Sequence, residues 1–224
     1  NPVIFKNLPY DSLKDFAPIS TVQAVSLVML ASPKAGISSV AELVAAAKSH
    51  PGKVTMASAG AGTTNHFAIE LFASMANIRV LHVPYKGSGP ALSELLGGQV
   101  ETMVDQLSAS IGYVKDGRLK VLAVTTPQRA AALPNVPTLD ELGYKGYQAS
   151  TLLGVLAPAG TPKPVVTKLN TAIRKVMDND VVNERFRGLG ANPGASSPEE
   201  FSKRIRDELT QWQALVKKLN LKFE

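Results

Sequence analysis

Between residues 25 and 124 the chain alternates short β-rich runs with stretches of helical period, and this restricts the fold more than any other feature. Strands separated by helices of such length imply a mainly parallel α/β sheet. Residues 25–30 read as a buried strand, and 53–57, 80–83, 100–104 and 119–124 as its successors. Ser39 and Glu42 form a capping box, and Val40, Leu43, Val44 and Ala47 keep the helical period behind it. Two further helices carry Phe67, Leu71 and Met75, and span residues 90–96. A shorter one ends at Gly117.

Beyond Val124 the pattern becomes helix-rich. Thr138 and Glu141 form a second capping box, predicting a small helix that Gly143 ends. Residues 152–156 read as a strand, and Thr161 with Pro162 as an N-cap followed by Pro at the first helical position. Val166, Leu169, Ile173 and Met177 make the apolar stripe of that helix. The last helix opens at Ser197-Pro198-Glu199-Glu200, with Phe201, Ile205, Leu209, Trp212, Leu215 and Leu219 as its stripe and Trp212 in the core. Two lobes follow: residues 1–27 with 150–224, and residues 28–149.

Composition removes several functions. The chain has no Cys, so disulfides, thiolate metal sites and cysteine nucleophiles are excluded, while the compartment stays open. With 24 Lys and Arg against 18 Asp and Glu, the net charge is +6. A basic balance suits nucleic acid, an acidic membrane surface or small anions. Its densest basic stretch, residues 203–206, runs directly into Asp207 and Glu208, so no like-charge tail exists and no nucleic-acid partner is expected. No apolar run approaches the ~20 residues of a membrane helix. The opening Asn1-Pro2-Val3-Ile4-Phe5 carries no signal peptide and reads like the middle of a protein.

The strongest local signal is the stretch 58–66, where a strand feeds a Gly-rich turn and then a helix. Gly60 and Gly62 free the backbone, and the first helical N–H groups have no intrahelical partner, so the turn presents donors to an anion. Ser58, Thr63 and Thr64 add hydroxyls, and His66 sits one turn in, a ring expected to be neutral and to donate one hydrogen bond. The alternative is a helix start capped by its own Ser and Thr, with His66 packed on the sheet. A dinucleotide fingerprint is rejected, because Asn65 holds the third Gly position and no acidic residue follows at the ribose distance. The phosphate loop and the nucleophile elbow are absent too. His50, His66 and His82 show no metal spacing, so no metal, cofactor or catalytic residue is expected. The loop at residues 84–90 has two readings: Tyr85 lines a pocket and Lys86 attracts an anion, or it is an ordinary βα loop, the reading favoured for a solvated Lys86. Asp105, ending a strand, either accepts from a ligand or caps the next helix.

Several segments recur together in one order: 16–20 (FAPIS), 56–66 (MASAGAGTTNH), 83–87 (VPYKG), 95–99 (LLGGQ), 122–125 (LAVT), 133–138 (LPNVPT) and 156–162 (LAPAGTP). By this ordered set the chain resembles the substrate-binding proteins of tripartite tricarboxylate transporters, the Bug family. The resemblance implies a bilobed, periplasmic-binding-protein type 2-like α/β fold whose first lobe lacks its N-terminal part. It implies a periplasmic, non-enzymatic monomer that captures a small carboxylate between two lobes and delivers it to the membrane permease subunits. Ligand contacts carry over onto residues 58–64, among them Ser58, Gly60, Gly62, Thr63 and Thr64, and onto His66 and Asp105, with the hinge at Ser150 and Thr151; Tyr85 and Thr151 complete the expected ligand-binding set. Two other classes fit an α/β chain. One is the effector-sensing domain of a transcription regulator, marked by a DNA-binding helix-turn-helix upstream. The other is a small enzyme, against which the lack of a nucleophile–base pair argues.

Overall fold

The apolar run at residues 24–31 is the second half of a 16-residue strand, β1 (Phe16–Ala31). The computed structural model describes residues 2–4 and 7–221. After β1 come α1 (Val40–Ser49), β2 (Thr55–Ser58), α2 (Thr64–Ala76), β3 (Leu81–Pro84), α3 (Ser88–Gly97), β4 (Thr102–Gln106), α4 (Leu107–Lys115) and β5 (Lys120–Val124). The second half adds β6 (Ser150–Pro158), α5 (Lys163–Met177), α6 (Asp180–Gly188), β7 (Ala191–Pro193) and α7 (Pro198–Leu219). The chain divides into two compact units, one drawing on residues up to 24 and from 152 onward, the other on 25–151.

In the unit of residues 25–151 the strands lie in the order β3-β2-β4-β1-β5. Pairing is parallel within β3-β2-β4, in the register Thr55↔Leu81 and Met56↔Thr102. The expectation of a mainly parallel sheet needs correction at β1, which runs antiparallel to both β4 and β5. The connection through α1 delivers the chain to β2, which is not a neighbour of β1, so no crossover dictates parallel pairing there. Residues 27–31 are fully buried, as a central strand covered on both faces requires. By the period of two, Val28 and Leu30 face one way, into a cluster with Leu92, Leu95, Met103, Leu107 and Ile111 from α3, β4 and α4.

Helix starts follow the sequence where a cap exists. Ser39 accepts from Glu42 N, and Ser197 with Glu200 closes a full capping box. Thr138 and Glu141 make both bonds of a box, yet residues 139–143 form only turns. Five residues give too few intrahelical bonds to offset nucleation. At α5 the cap is Pro162, and the Thr161 hydroxyl donates to Pro158 O instead.

In the other unit, β6 and β7 pair with β1. The stripe of α5 is shifted from the expected one. Leu169 is 41% exposed, while its neighbour Asn170 is buried and donates to Ile19 O and Ser196 O, ordering the backbone beneath. Trp212 is only half-buried, and Phe201 and Leu215 are the buried residues of α7. Leu153, Val155, Val165, Val176 and Val181 are also exposed.

Gly154 on β6 has no space for a side chain: a Cβ would collide with the Phe201 ring and lie 2.8 Å from Ser20 O. Gly154→Ala is therefore expected to destabilise by about 1–3 kcal/mol through overpacking. Urea denaturation checks this, and Gly154→Ala combined with Phe201→Leu should recover part of the loss. An unchanged midpoint for the single variant would show that α7 moves aside freely.

Candidate functional site

Three strands deliver their C-terminal ends to one edge of the sheet in the unit of residues 25–151. Ser58 is in register with Pro84, and β4 ends at Asp105 and Gln106. The chain after β2 and the chain after β3 are joined there: Tyr85 N donates to Ser58 O at 3.1 Å and Gly87 N to Ala59 O at 2.8 Å. Gly60 has φ +151°, and an added Cβ would lie 3.1 Å from Tyr85 O. Glycine is favoured because this φ strains any L side chain and an added Cβ would press on Tyr85 O.

Thr63 is the N-cap of α2. Its hydroxyl accepts from His66 N and donates to Gly60 O at 2.7 Å. Other turn donors are also satisfied internally. Gly60 N donates to Ser58 Oγ, Gly62 N to His66 Nδ1 at 3.0 Å, and Thr63 N to Gly60 O. Among the described residues, no intramolecular acceptor meets the N–H of Ala61 or of Thr64, nor the Thr64 hydroxyl. These three donors lie together at the positive end of the α2 dipole, on partly or fully exposed residues. They can hold a carboxylate.

The remaining candidates divide between the surface of this turn and its support. Ser58 is fully buried, and its hydroxyl lies 2.7 Å from His82 Nε2. His66 is 9% exposed, and its Nδ1 is taken by Gly62 N, so its ring proton sits on Nε2, 3.5 Å from Glu70 Oε1. Its ring stacks on His82 with centroids 3.9 Å apart and planes within 8°. Burial, then the His66 ring alongside, holds His82 down at about 4, while Glu70 pulls the other way. The Tyr85 ring packs on the apolar cluster of α3 and α4. Thr151 is reached from Gln106 Nε2 at 3.4 Å.

Asp105 neither caps α4, whose N-cap is Gln106, nor reaches the surface. Its Oδ1 accepts from Ser88 Oγ at 2.6 Å and Asn65 Nδ2 at 3.3 Å, and its Oδ2 is buried without a partner. Burial pushes this carboxyl up to about 6 against the opposing hydrogen bonds from Ser88, the Gln106 N–H and Asn65.

His82, Asn65, Ser88 and Gln106 escaped sequence reasoning. One signal was available: with β2 and β3 parallel, Met56, Ser58 and His82 share a sheet face, and His66 on α2 packs against it. Among the described residues no cluster of three or more His, Asp or Glu side chains is placed to hold a metal ion.

The profile of the tripartite tricarboxylate transporter family receptors, TctC, matches residues 1–221. A protein encoded in the tcbD-tcbE intergenic region of a Pseudomonas species is 36% identical over 95% of this chain and 63% of its own length. BugT of Bordetella pertussis is 34% identical over 99% of this chain and 68% of its own. The chain thus spans about two thirds of the curated relatives it matches. Among solved structures, Rpa4515 of R. palustris, determined with adipate, is similar with a TM-score of 0.91 and 32% identity. That match covers 99% of this chain and 74% of Rpa4515.

Proposed function

The chain belongs to the tripartite tricarboxylate transporter receptor family, and from that premise we propose that it captures a small organic carboxylate without turning it over. It holds the solute outside the cytoplasm, in the periplasm, and passes it to the membrane components of a transporter. The observation that carries this reading is the group of three uncommitted donors at the start of α2: Ala61 N–H, Thr64 N–H and the Thr64 hydroxyl. Two neutral N–H groups and a hydroxyl stabilise a carboxylate without burying a second charge that would itself need desolvation. Thr63, Gly60, Gly62 and His66 shape this turn, and Ser58 with His82 supports it from the sheet.

Calorimetric titration tests the reading. Adipate, the ligand in the R. palustris structure, should bind, and adipamide, which lacks the negative ends, should not. Thr64→Val keeps the shape and removes one hydroxyl, and should weaken adipate binding about tenfold. Equal affinity in the variant would remove the α2 start from the site.

A further inference from the structure

We propose that carboxylate capture at the start of α2 is coupled to proton uptake by Asp105, the buried carboxyl behind the same helix start. The inference rests on the functional reading above and adds the regulation of that site. Asn65, the second residue of α2, joins the two places: its backbone belongs to the first turn, and its side chain donates to Asp105 Oδ1. An anion at this turn and an ionised Asp105 would lie on either side of one helix start and draw on the same positive dipole end. Among the described residues, no cation is among the groups that act on Asp105.

The paired strands β1 and β2 bring no titratable side chain. The helices on β4 carry His66 and Glu70 (α2), Glu94 (α3), and Tyr113 and Lys115 (α4). Among the described residues, the influences on Asp105 are the burial itself and the hydrogen bonds from Ser88, the Gln106 N–H and Asn65. Both donated side-chain hydrogen bonds fall on Oδ1. Oδ2, fully enclosed and unpartnered, is the oxygen that takes a proton from solvent. The free carboxyl, already raised to about 6 by burial, rises further when a second negative charge arrives, so binding near pH 6–7 draws a proton in. Above that window Asp105 stays ionised in both states and repels the ligand, so affinity falls as pH rises.

The experiment is calorimetric titration of the whole chain with adipate at pH 6.5, in two buffers of different ionisation enthalpy. The slope of heat against buffer enthalpy gives protons taken up per adipate. Wild type should take up a few tenths of a proton more than Asp105→Asn, because the ligand's own protonation is common to both. Ser88→Ala, which removes a bond that favours the ionised form, should move the uptake window to higher pH and serves if Asp105→Asn does not fold. Equal proton numbers in wild type and Asp105→Asn, or a window unmoved by Ser88→Ala, would overturn the coupling while leaving capture intact. Absence of adipate binding by wild type would overturn the capture reading and the coupling with it.

Discussion

Replacing Tyr147 by Ala is expected to destabilise the unit of residues 25–151 by about 3–5 kcal/mol, the range for removing a large buried aromatic side chain. Tyr147 is 1% exposed, and its hydroxyl donates to Ala68 O at 2.7 Å, in the middle of α2. Burial pushes the phenol well above its usual range, so the hydroxyl keeps its proton and donates throughout the working pH range. Tyr147→Phe should cost only about 1 kcal/mol, because the ring volume remains and one hydrogen bond is lost. Urea denaturation of the three proteins separates packing from hydrogen bonding. A Phe variant as unstable as the Ala variant would put the weight on the Ala68 bond. Hydrogen exchange at α2 amides should quicken in the Ala variant, since that helix loses its anchor.

Asp105→Asn should make stability more acid-sensitive, by a mechanism whose sign is fixed. Burial raises the folded-state carboxyl to about 6, from an ordinary value of 3.8. The folded state therefore holds this proton more tightly than the unfolded state. The resulting stabilisation is fully present below about pH 4 and is lost as pH rises to about 6. Its size, about two pH units at 1.36 kcal/mol each, is on the order of 3 kcal/mol. The asparagine variant lacks it. Relative to wild type, the variant should lose about 3 kcal/mol more at pH 4 than at pH 7.

His82 acts in the opposite sense. Its folded value near 4 lies below 6.5, so its contribution is present above about pH 6.5 and is lost as pH falls towards 4. His82 is half-buried, and screening reduces its share to roughly 2 kcal/mol. His82→Gln should accordingly be less acid-sensitive than wild type. Denaturation at pH 4 and pH 7 on the three proteins checks both signs. A constant gap between wild type and Asp105→Asn would show that Asp105 titrates alike in both states.

Local features were legible because local physics fixes them. Ser39, Thr63 and Ser197 cap helices in the structure, as small hydroxyl residues before an apolar period should. The run at 25–30 is buried on both faces, as its lack of alternation implies. The length of β1 back to Phe16 was hidden, because residues 16–23 mix Pro, Ser and Thr among apolar positions and draw their order from partner strands. Leu169 and Asn170 exchange roles because a backbone carbonyl in need of a donor outweighs one apolar contact. In the site, glycines and a capping threonine announce the turn, but Ser58–His82 and Ser88–Asp105 join residues 24 and 17 positions apart. Those pairs depend on strand register, which no local spacing records.

The turn before α2 is held from both sides: by Tyr85 and Gly87 through their N–H groups, and by His66 accepting from Gly62. Its directions are set when the unit folds, so the entropy of ordering it is settled before any solute arrives. On the capture reading proposed above, a carboxylate reaching this turn would meet donors already in place. On that reading the ordering cost left to meet is the solute's own, and a rigid diacid should gain more from this turn than a flexible one.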